Sequence, residues 1–188
     1  GPMVASPLAY DASAARRRRD VTGASHLTQR EQLSLYVPLP ASDVLESVRR
    51  ILDPVQHALI PAHVTLCRED ELAGVQSDLL RRRLEQLPPG PLAMVFGTPE
   101  RFDGHGVQLK CLDGDRAFQA LRQHVLGNQL ARRLPAHITL AHPRNPAPAV
   151  ADLAAIERVT APVRVEFRVV RWIRQQPGEP WEVVESFP

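Results

Sequence analysis

The segment Pro61-Ala62-His63-Val64-Thr65-Leu66 recurs later in the chain as Pro135-Ala136-His137-Ile138-Thr139-Leu140. Five of the six positions are identical, and the sixth exchanges valine for isoleucine. The two copies are separated by close to half of the folded part of the chain, and each follows a predicted helix and a proline. This repeat predicts a duplicated fold whose halves are related by a pseudo-twofold axis.

The alternation within each copy predicts which side chains act together. Successive side chains of a β-strand point to opposite faces. His63 and Thr65 therefore share one face, while Val64 and Leu66 point into the core. The second copy alternates in the same way, so two imidazoles and two hydroxyls line one cleft if the halves meet face to face.

Two histidines and two threonines in one cleft suit acid–base chemistry on a phosphodiester. A neutral imidazole accepts a proton from the attacking oxygen, and an imidazolium donates one to the leaving oxygen. The threonine hydroxyls hold non-bridging oxygens or orient the imidazoles. This chemistry calls for no metal and no cofactor, because the nucleophile is a water or the substrate's own hydroxyl.

Strand and helix patterns alternate along the chain, with hairpins between them. We predict a strand from Gln32, a strand at Leu92–Phe96, a helix at Ala149–Ile156, and a closing hairpin of Val163–Arg174 with Trp181–Ser186. Interleaved helices and hairpins favour an α+β protein with antiparallel sheets over a doubly wound parallel sheet.

The chain of 188 residues is long enough for one domain or two tightly packed halves. Residues 1–30 have no sustained hydrophobic period, and we predict a mobile N-terminal arm with a tag remnant at Gly1-Pro2. Residues 31–188 are expected to form a single bilobal domain. The arm's run Arg16–Arg19 is interpreted as a solvated tail, with electrostatic contact to RNA as the alternative.

Composition excludes several classes of protein. No apolar run approaches the ~20 residues of a membrane span. The chain has 2 cysteines, too few for a disulfide framework, which favours a reducing, cytoplasmic compartment. A net charge of +2 is too small to indicate nucleic acid as a partner by itself. We expect a monomer that does not bind membranes.

The two His-x-Thr motifs, their order and their spacing resemble those of the 2H phosphoesterase superfamily. The chain is most similar to the bacterial branch of 2′-5′ RNA ligases and RNA 2′,3′-cyclic phosphodiesterases. The resemblance implies two lobes, each an antiparallel sheet with helices outside, around a central groove. It also implies opening of 2′,3′-cyclic phosphates to 2′-phosphates, on RNA 3′ ends or small cyclic nucleotides, and in some members the joining of RNA ends.

Carried over onto this sequence, the resemblance makes His63 and His137 the catalytic pair and Thr65 and Thr139 the phosphate-binding residues. His63 would protonate the leaving ribose oxygen, and His137 would activate water. The segments after the motifs, Cys67–Asp70 and Ala141–Asn145, depart from the family pattern. Both are expected at the rim of the groove, so they affect the choice of substrate more than the chemistry.

Further substrate-binding residues are predicted around the motifs. Tyr36 lies on the face of its strand opposite Leu35 and is expected to stack on a base in the groove. Arg68, Arg101 and Arg144 are expected to contact flanking phosphates.

Two alternatives to the interpretation as a phosphoesterase remain. The first is a nucleotide- or RNA-binding module that uses the same groove without turnover. The second is a zinc site built from His63 with Cys67, or from His137 with His142. Strand geometry disfavours zinc, because the first pair would lie ~13 Å apart along a strand and the second pair would face opposite ways.

Overall fold

The structure, a computed structural model, describes residues 29–127 and 131–188. Residues 1–28 of the predicted arm, with its arginine run, lie outside the described residues, and Arg30 at the end of the predicted arm already belongs to the first strand. The elements are β1 (Arg30–Tyr36), α1 (Ala41–Leu52), α2 (Pro54–Leu59), β2 (His63–Cys67), α3 (Glu69–Leu72), α4 (Ser77–Glu85), β3 (Leu92–Phe102), β4 (Gly106–Asp113), α5 (Asp115–Leu126), β5 (His137–Ala141), a 3₁₀ helix (Val150–Arg158), β6 (Val163–Phe167), β7 (Val170–Gln175) and β8 (Glu182–Phe187).

The strands form two four-stranded sheets in which every neighbouring pair is antiparallel. The first sheet has the order β2-β1-β7-β8, and the second has the order β5-β4-β3-β6. The predicted α+β class with two antiparallel sheets and helices outside them is confirmed. Each motif copy forms an edge strand, and the Cα atoms of these two edges approach within 8 Å of each other.

The two halves of the chain are interlocked. In each sheet the motif strand pairs with the strand before it, β2 with β1 and β5 with β4. The next strand inward is β7, from beyond the second motif, in the first sheet, and β3, the hairpin partner of β4, in the second sheet. The helices cross as well, since α1 packs against β5 and α5 packs against β2. This exchange supports a single unit for the two lobes, while the predicted boundary at residue 31 stays a prediction.

Amphipathic helices cover the sheets. On α1, Leu45, Val48 and Leu52 form the apolar stripe, and at most 1% of each is exposed. On α5, Phe118 and Val125 are equally buried. Each large side chain removed from water in this way contributes about 1.5–3 kcal/mol. Because the helices and the core cover one face of β2 and β5, the opposite face, which carries the His-x-Thr side chains, is free to line a groove.

The closing segment differs from the sequence-based prediction. Val163–Arg174 is not one strand, because the chain leaves the second sheet after Phe167 and enters the first sheet at Val170. The predicted strand Leu92–Phe96 continues to Phe102, with irregular pairing to β4 along the way. The helix predicted at Ala149–Ile156 is a 3₁₀ helix in which Ala155 alone is buried. Alternation by itself does not mark where a strand changes sheets.

The helices of residues 29–127 and 131–188 include none that is both long enough and apolar enough to span a membrane.

Candidate active site

One groove of about 570 Å³ is lined by His63, Thr65, His137 and Thr139. In both motif strands the histidine and the threonine are partly exposed, whereas the residues between and after them are buried. The two edge strands therefore direct equivalent side chains into a shared space. The structure brings together the four residues that the repeat singles out.

The two imidazoles are held in the same way. The ring Nδ1 of His63 lies 2.8 Å from the carbonyl oxygen of Pro61, and Nδ1 of His137 lies 3.1 Å from that of Pro135. A carbonyl oxygen only accepts hydrogen bonds, so Nδ1 carries the proton and Nε2 is left with a lone pair in the neutral ring. Each Nε2 is therefore the atom that exchanges protons with a molecule in the groove.

A partly buried ion pair on α1 fixes the segment before His63. Arg49 is 1% exposed, and its guanidinium donates to Glu46 at 2.9 Å and to the carbonyl oxygen of Ile60 at 2.8 Å. The Glu46 carboxylate in turn accepts the backbone N–H of Ala62 at 2.5 Å. Both residues thereby hold the backbone next to His63, and Arg49 also lines the groove.

The second copy has an equivalent anchor on α5. The amide of Gln119 donates to the carbonyl oxygen of Leu134 at 2.7 Å, and its oxygen accepts the Leu134 N–H at 3.4 Å. Leu134 precedes the second motif as Ile60 precedes the first. A neutral amide in place of a guanidinium makes the surroundings of the two histidines electrostatically different.

The pKa of His63 is lowered to about 4: burial is the largest cause, the positive charges of Arg49 and His137 act in the same direction, and the hydrogen bond to Pro61 opposes them. At neutral pH the unliganded groove therefore contains a neutral His63. A bound phosphate anion would oppose these effects and favour the imidazolium.

This depressed pKa predicts how stability depends on pH. Below the ordinary histidine pKa of about 6.5, the unfolded chain binds a proton that folded His63 does not. Stability should therefore fall as pH drops from about 6.5 to about 4 and change little further through this group. Urea unfolding at several pH values should show a smaller acid loss for His63→Gln than for the unsubstituted protein. Equal losses would contradict the neutral state of His63 in the folded protein.

The segment after the second motif is tied to α1 and α2. The Asp53 carboxylate, 2% exposed, accepts the backbone N–H of His142 at 2.8 Å and the side-chain amide of Asn145 at 3.0 Å. It also accepts the Gln56 N–H at 3.0 Å, which caps α2. Asp53 thus joins the two halves at the rim of the groove, where Arg144 lines the wall.

Contacts with α3 and α5 hold the end of the first motif strand. Glu71 on α3 pairs with the buried Arg122 of α5, and Arg122 also donates to the carbonyl oxygen of Leu66 at 2.6 Å. These contacts anchor the end of β2. Arg68 lines an adjoining cavity of about 390 Å³ together with Thr65 and His137, so it lies within reach of the groove.

The other predicted substrate residues are placed differently. Arg144 lines the groove, but Arg101 lines neither it nor the adjoining cavity. Tyr36 is on the expected face of β1, yet its ring lines a separate cavity beneath Arg171. Tyr36 therefore lies beside His63 in the first sheet but lines a second opening, and its role in substrate binding stays a prediction.

Sequence reasoning missed several residues of the groove. Phe102 lies with its ring centroid 6.4 Å from that of His137, and Trp181 lies beneath the guanidinium of Arg30 at 5.3 Å. Within the described residues, the charged side chains other than histidine that line the groove are Arg30, Arg49, Asp103 and Arg144. Arg49 had a sequence signal, since it is a charge beside the apolar stripe of α1. Phe102 and Trp181 had none.

The zinc alternative gains no support from the geometry. Cys67 is fully buried in the core, where burial raises the pKa of its thiol. The part of the chain that the structure describes contains no group of three or more His, Cys, Asp or Glu side chains placed to hold a metal ion.

No protein-family model matches the sequence, and no curated protein matches it either. Solved structures do match the fold. A structure of E. coli LigT complexed with 3′-AMP has a TM-score of 0.56 and 15% identity, covering 85% of this chain and 96% of that one. The chain has the fold of E. coli LigT. A structure described as a phosphoesterase has a TM-score of 0.55 and 15% identity, covering 85% of this chain and 97% of that one.

The LigT fold confirms the two-lobed architecture that the 2H phosphoesterase resemblance implies. The same LigT has also been solved complexed with ATP, with a TM-score of 0.55 and 15% identity over 85% of this chain and 96% of that one. At this level of identity the likeness concerns the fold, and the roles of individual residues depend on the groove itself.

Proposed function

We propose that the chain is a metal-independent phosphoesterase that opens the 2′,3′-cyclic phosphates of RNA ends or nucleotides to 2′-phosphates. One observation supports this above others: two imidazoles, each held at Nδ1 by a backbone carbonyl, share one groove with two threonines. The groove also has a surplus of arginine over carboxylate, which suits an anionic substrate.

In the proposed reaction, water attacks phosphorus and the bond from phosphorus to the ribose 3′ oxygen breaks. Nε2 of His137 takes the proton of the attacking water, and protonated His63 gives its Nε2 proton to the 3′ oxygen. Thr65 and Thr139 donate hydrogen bonds to the non-bridging oxygens, whose charge grows in the transition state. The product keeps its phosphate on the 2′ oxygen, and the two histidines have exchanged protonation states.

This order of roles follows the family resemblance, and it requires His63 to be charged when substrate is bound. In the unliganded groove His63 is neutral, with a pKa of about 4. Binding of the negative phosphate must therefore raise the pKa of His63 enough for the imidazolium to form. Protonation and substrate binding are then coupled at His63.

A sulfur-substituted substrate separates the two roles. If the 3′ bridging oxygen of the cyclic phosphate is replaced by sulfur, the leaving group no longer needs a general acid. His63→Ala should then recover about 10-fold or more of its lost rate, whereas His137→Ala should not. The measurement is thiol release under substrate-saturated conditions. Recovery in His137→Ala alone would reverse the assignment of acid and base.

The groove walls support a nucleotide as the substrate. Phe102 and Trp181 provide aromatic surfaces for a base, and the LigT structures with 3′-AMP and ATP support a nucleotide as the ligand. The joining of RNA ends would use the same groups: a 5′ hydroxyl would attack the 2′,3′-cyclic phosphate in place of water, forming a 2′-5′ linkage while the 3′ oxygen leaves as a hydroxyl. We further propose a monomer acting in the cytoplasm, where the free thiols Cys67 and Cys111 would stay reduced.

A direct screen tests this proposal against the binding module. Purified protein is incubated with 2′,3′-cyclic mononucleotides and with RNA ending in a cyclic phosphate, in the presence and absence of EDTA. Turnover that EDTA does not reduce is expected. Tight binding without turnover would favour the non-catalytic module, and loss of turnover in EDTA would indicate a metal.

A further inference from the structure

A second cavity of about 580 Å³ lies beside the histidine groove and shares no lining residue with it. Its walls come from the end of β1 with the following loop, and from β6 with the connection to β7. We call it the Tyr36 cavity. Neither the histidine pair nor the proposed reaction explains it.

The Tyr36 cavity begins one strand away from the proposed catalytic pair. In the β1–β2 ladder Tyr36 is the direct partner of His63, and neighbouring strands lie about 4.7–4.9 Å apart. Along β1, Gln32 lines the groove and Tyr36 lines the cavity on the same face, with the fully buried Ser34 between them. The histidine groove and the Tyr36 cavity therefore lie on either side of the buried Ser34, on the same face of the first sheet.

The charge of the Tyr36 cavity is positive. Arg164, Arg168 and Arg171 line it against one carboxylate, Glu166. Glu166 accepts from Arg168 at 2.9 Å, but more than half of each side chain is exposed, so this ion pair contributes little. Within residues 29–127 and 131–188, no carboxylate lies within 4.0 Å of the Arg164 or Arg171 guanidinium.

The same cavity offers a stacking surface and an apolar wall. The Arg171 guanidinium lies 5.5 Å from the centre of the Tyr36 ring and donates to the Ser186 hydroxyl at 2.8 Å, so both planes are held in place. The neighbouring loop adds Pro38 and Leu39, and Leu39 is 70% exposed. An exposed leucine beside a fixed aromatic ring and a fixed guanidinium suits a flat, partly apolar group.

Each of these features matches one part of a nucleotide. Guanidinium groups bind phosphate through paired N–H donors, and they also stack on planar rings. Aromatic side chains stack on any base. An anion without a ring would leave the Tyr36 and Leu39 surfaces unused, and a peptide with acidic side chains would leave the stacking surface unused.

We propose that the Tyr36 cavity binds a nucleotide of the RNA strand upstream of the end that lies in the histidine groove. This inference rests on the proposed function and narrows it: the preferred substrate is an oligonucleotide rather than a cyclic mononucleotide. The phosphate of the upstream nucleotide contacts Arg164 and Arg168, and its base packs against Tyr36 and Arg171.

Binding of a labelled product strand tests the inference without any turnover. The probe is a hexaribonucleotide with fluorescein at its 5′ end and a 2′-phosphate at the other, measured by anisotropy. Arg164→Ala/Arg168→Ala should weaken binding by about 10-fold or more. The log–log salt slope should also shrink by about 0.7 for each phosphate that the variant no longer neutralises. The matched control, Arg82→Ala/Arg158→Ala, removes the same charge from exposed helical positions and should bind like the unsubstituted protein.

The stacking part has its own pair of variants. Tyr36→Leu should weaken hexanucleotide binding by about 5-fold or more, and Tyr36→Phe should not, because the ring remains. Thermal unfolding of each variant shows whether the fold is retained.

Equal affinity of the two arginine double variants would overturn the inference. So would an equal loss for uridine 2′-phosphate, because the inference assigns the cavity to an upstream nucleotide that this ligand lacks. Failure of the proposed function gives a different result: cyclic phosphates would stay closed while hexanucleotide binding still depended on the arginines. Turnover together with arginine-independent binding would contradict this inference alone.

Discussion

His63→Ala and His137→Ala should each lower kcat/KM for 2′,3′-cyclic nucleotides by about 10²–10⁴-fold, the range of a lost general acid or base. Both rings present Nε2 to one groove, so removing either leaves one proton transfer without a partner. Initial rates on 2′,3′-cyclic AMP at neutral pH provide the measurement. Full activity in either variant would exclude the acid–base pair.

A third histidine serves as the control for this pair. His124 lies on α5, where its Nε2 contacts the carbonyl oxygen of Arg83 at 2.8 Å, and it does not line the groove. His124→Ala should keep the rate of the unsubstituted protein. The double variant His63→Ala/His137→Ala should lose less than the product of the two single losses, because residues that act as a unit are not additive.

Thr65→Val and Thr139→Val should lower kcat by up to about 10²–10³-fold, the loss seen when one donor to a developing oxyanion is removed. Valine keeps the volume of threonine and deletes the hydroxyl, so folding should be retained. Each threonine lies two residues after its histidine on the same strand face. Single-turnover rates at saturating substrate separate this loss from weaker binding.

The threonine variants have two matched controls. Thr65→Ser and Thr139→Ser keep the hydroxyl and should recover most of the rate. Thr98→Val makes the same change at a position of β3 outside the groove and should have no effect. If the valine variants are less stable but their folded fraction keeps the full specific activity, the hydroxyls are structural.

The repeat was sufficient to predict which four side chains of the two motifs share one groove. Alternation in a five-residue strand places His63 and Thr65 on one face whatever the rest of the chain does, and the second copy obeys the same rule. Both strands begin at the histidine, two residues after a proline. Local geometry determines these features, so they are visible in sequence.

Features that depend on contacts between distant segments were not visible. Tyr36 was assigned to the correct face of β1, but which cavity that face meets depends on β6 and β7, far along the chain. The buried Asp53 binds His142 and Asn145 across the two halves, and no short-range pattern marks such a contact. The crossing of α1 to β5 and of α5 to β2 is a property of the interlocked topology alone.

The two motif histidines look alike in sequence but differ in their surroundings. His63 lies near the buried Arg49, whereas the anchor before His137 is the neutral Gln119. The near-identity of the motifs gave no basis for an order of acid and base. The structure provides an asymmetry that the sulfur-substituted substrate can test.

The central claim is that this groove opens a cyclic phosphate with its histidines, and ³¹P NMR of the product tests it most directly. Purified protein is incubated with 2′,3′-cyclic AMP in buffer containing EDTA, and the cyclic resonance is followed with time. The account predicts its replacement by the 2′-phosphate resonance alone, at a rate that falls by about 10²–10⁴-fold in His63→Ala and His137→Ala. A persistent cyclic resonance, a 3′-phosphate product, or equal rates in the variants would contradict it.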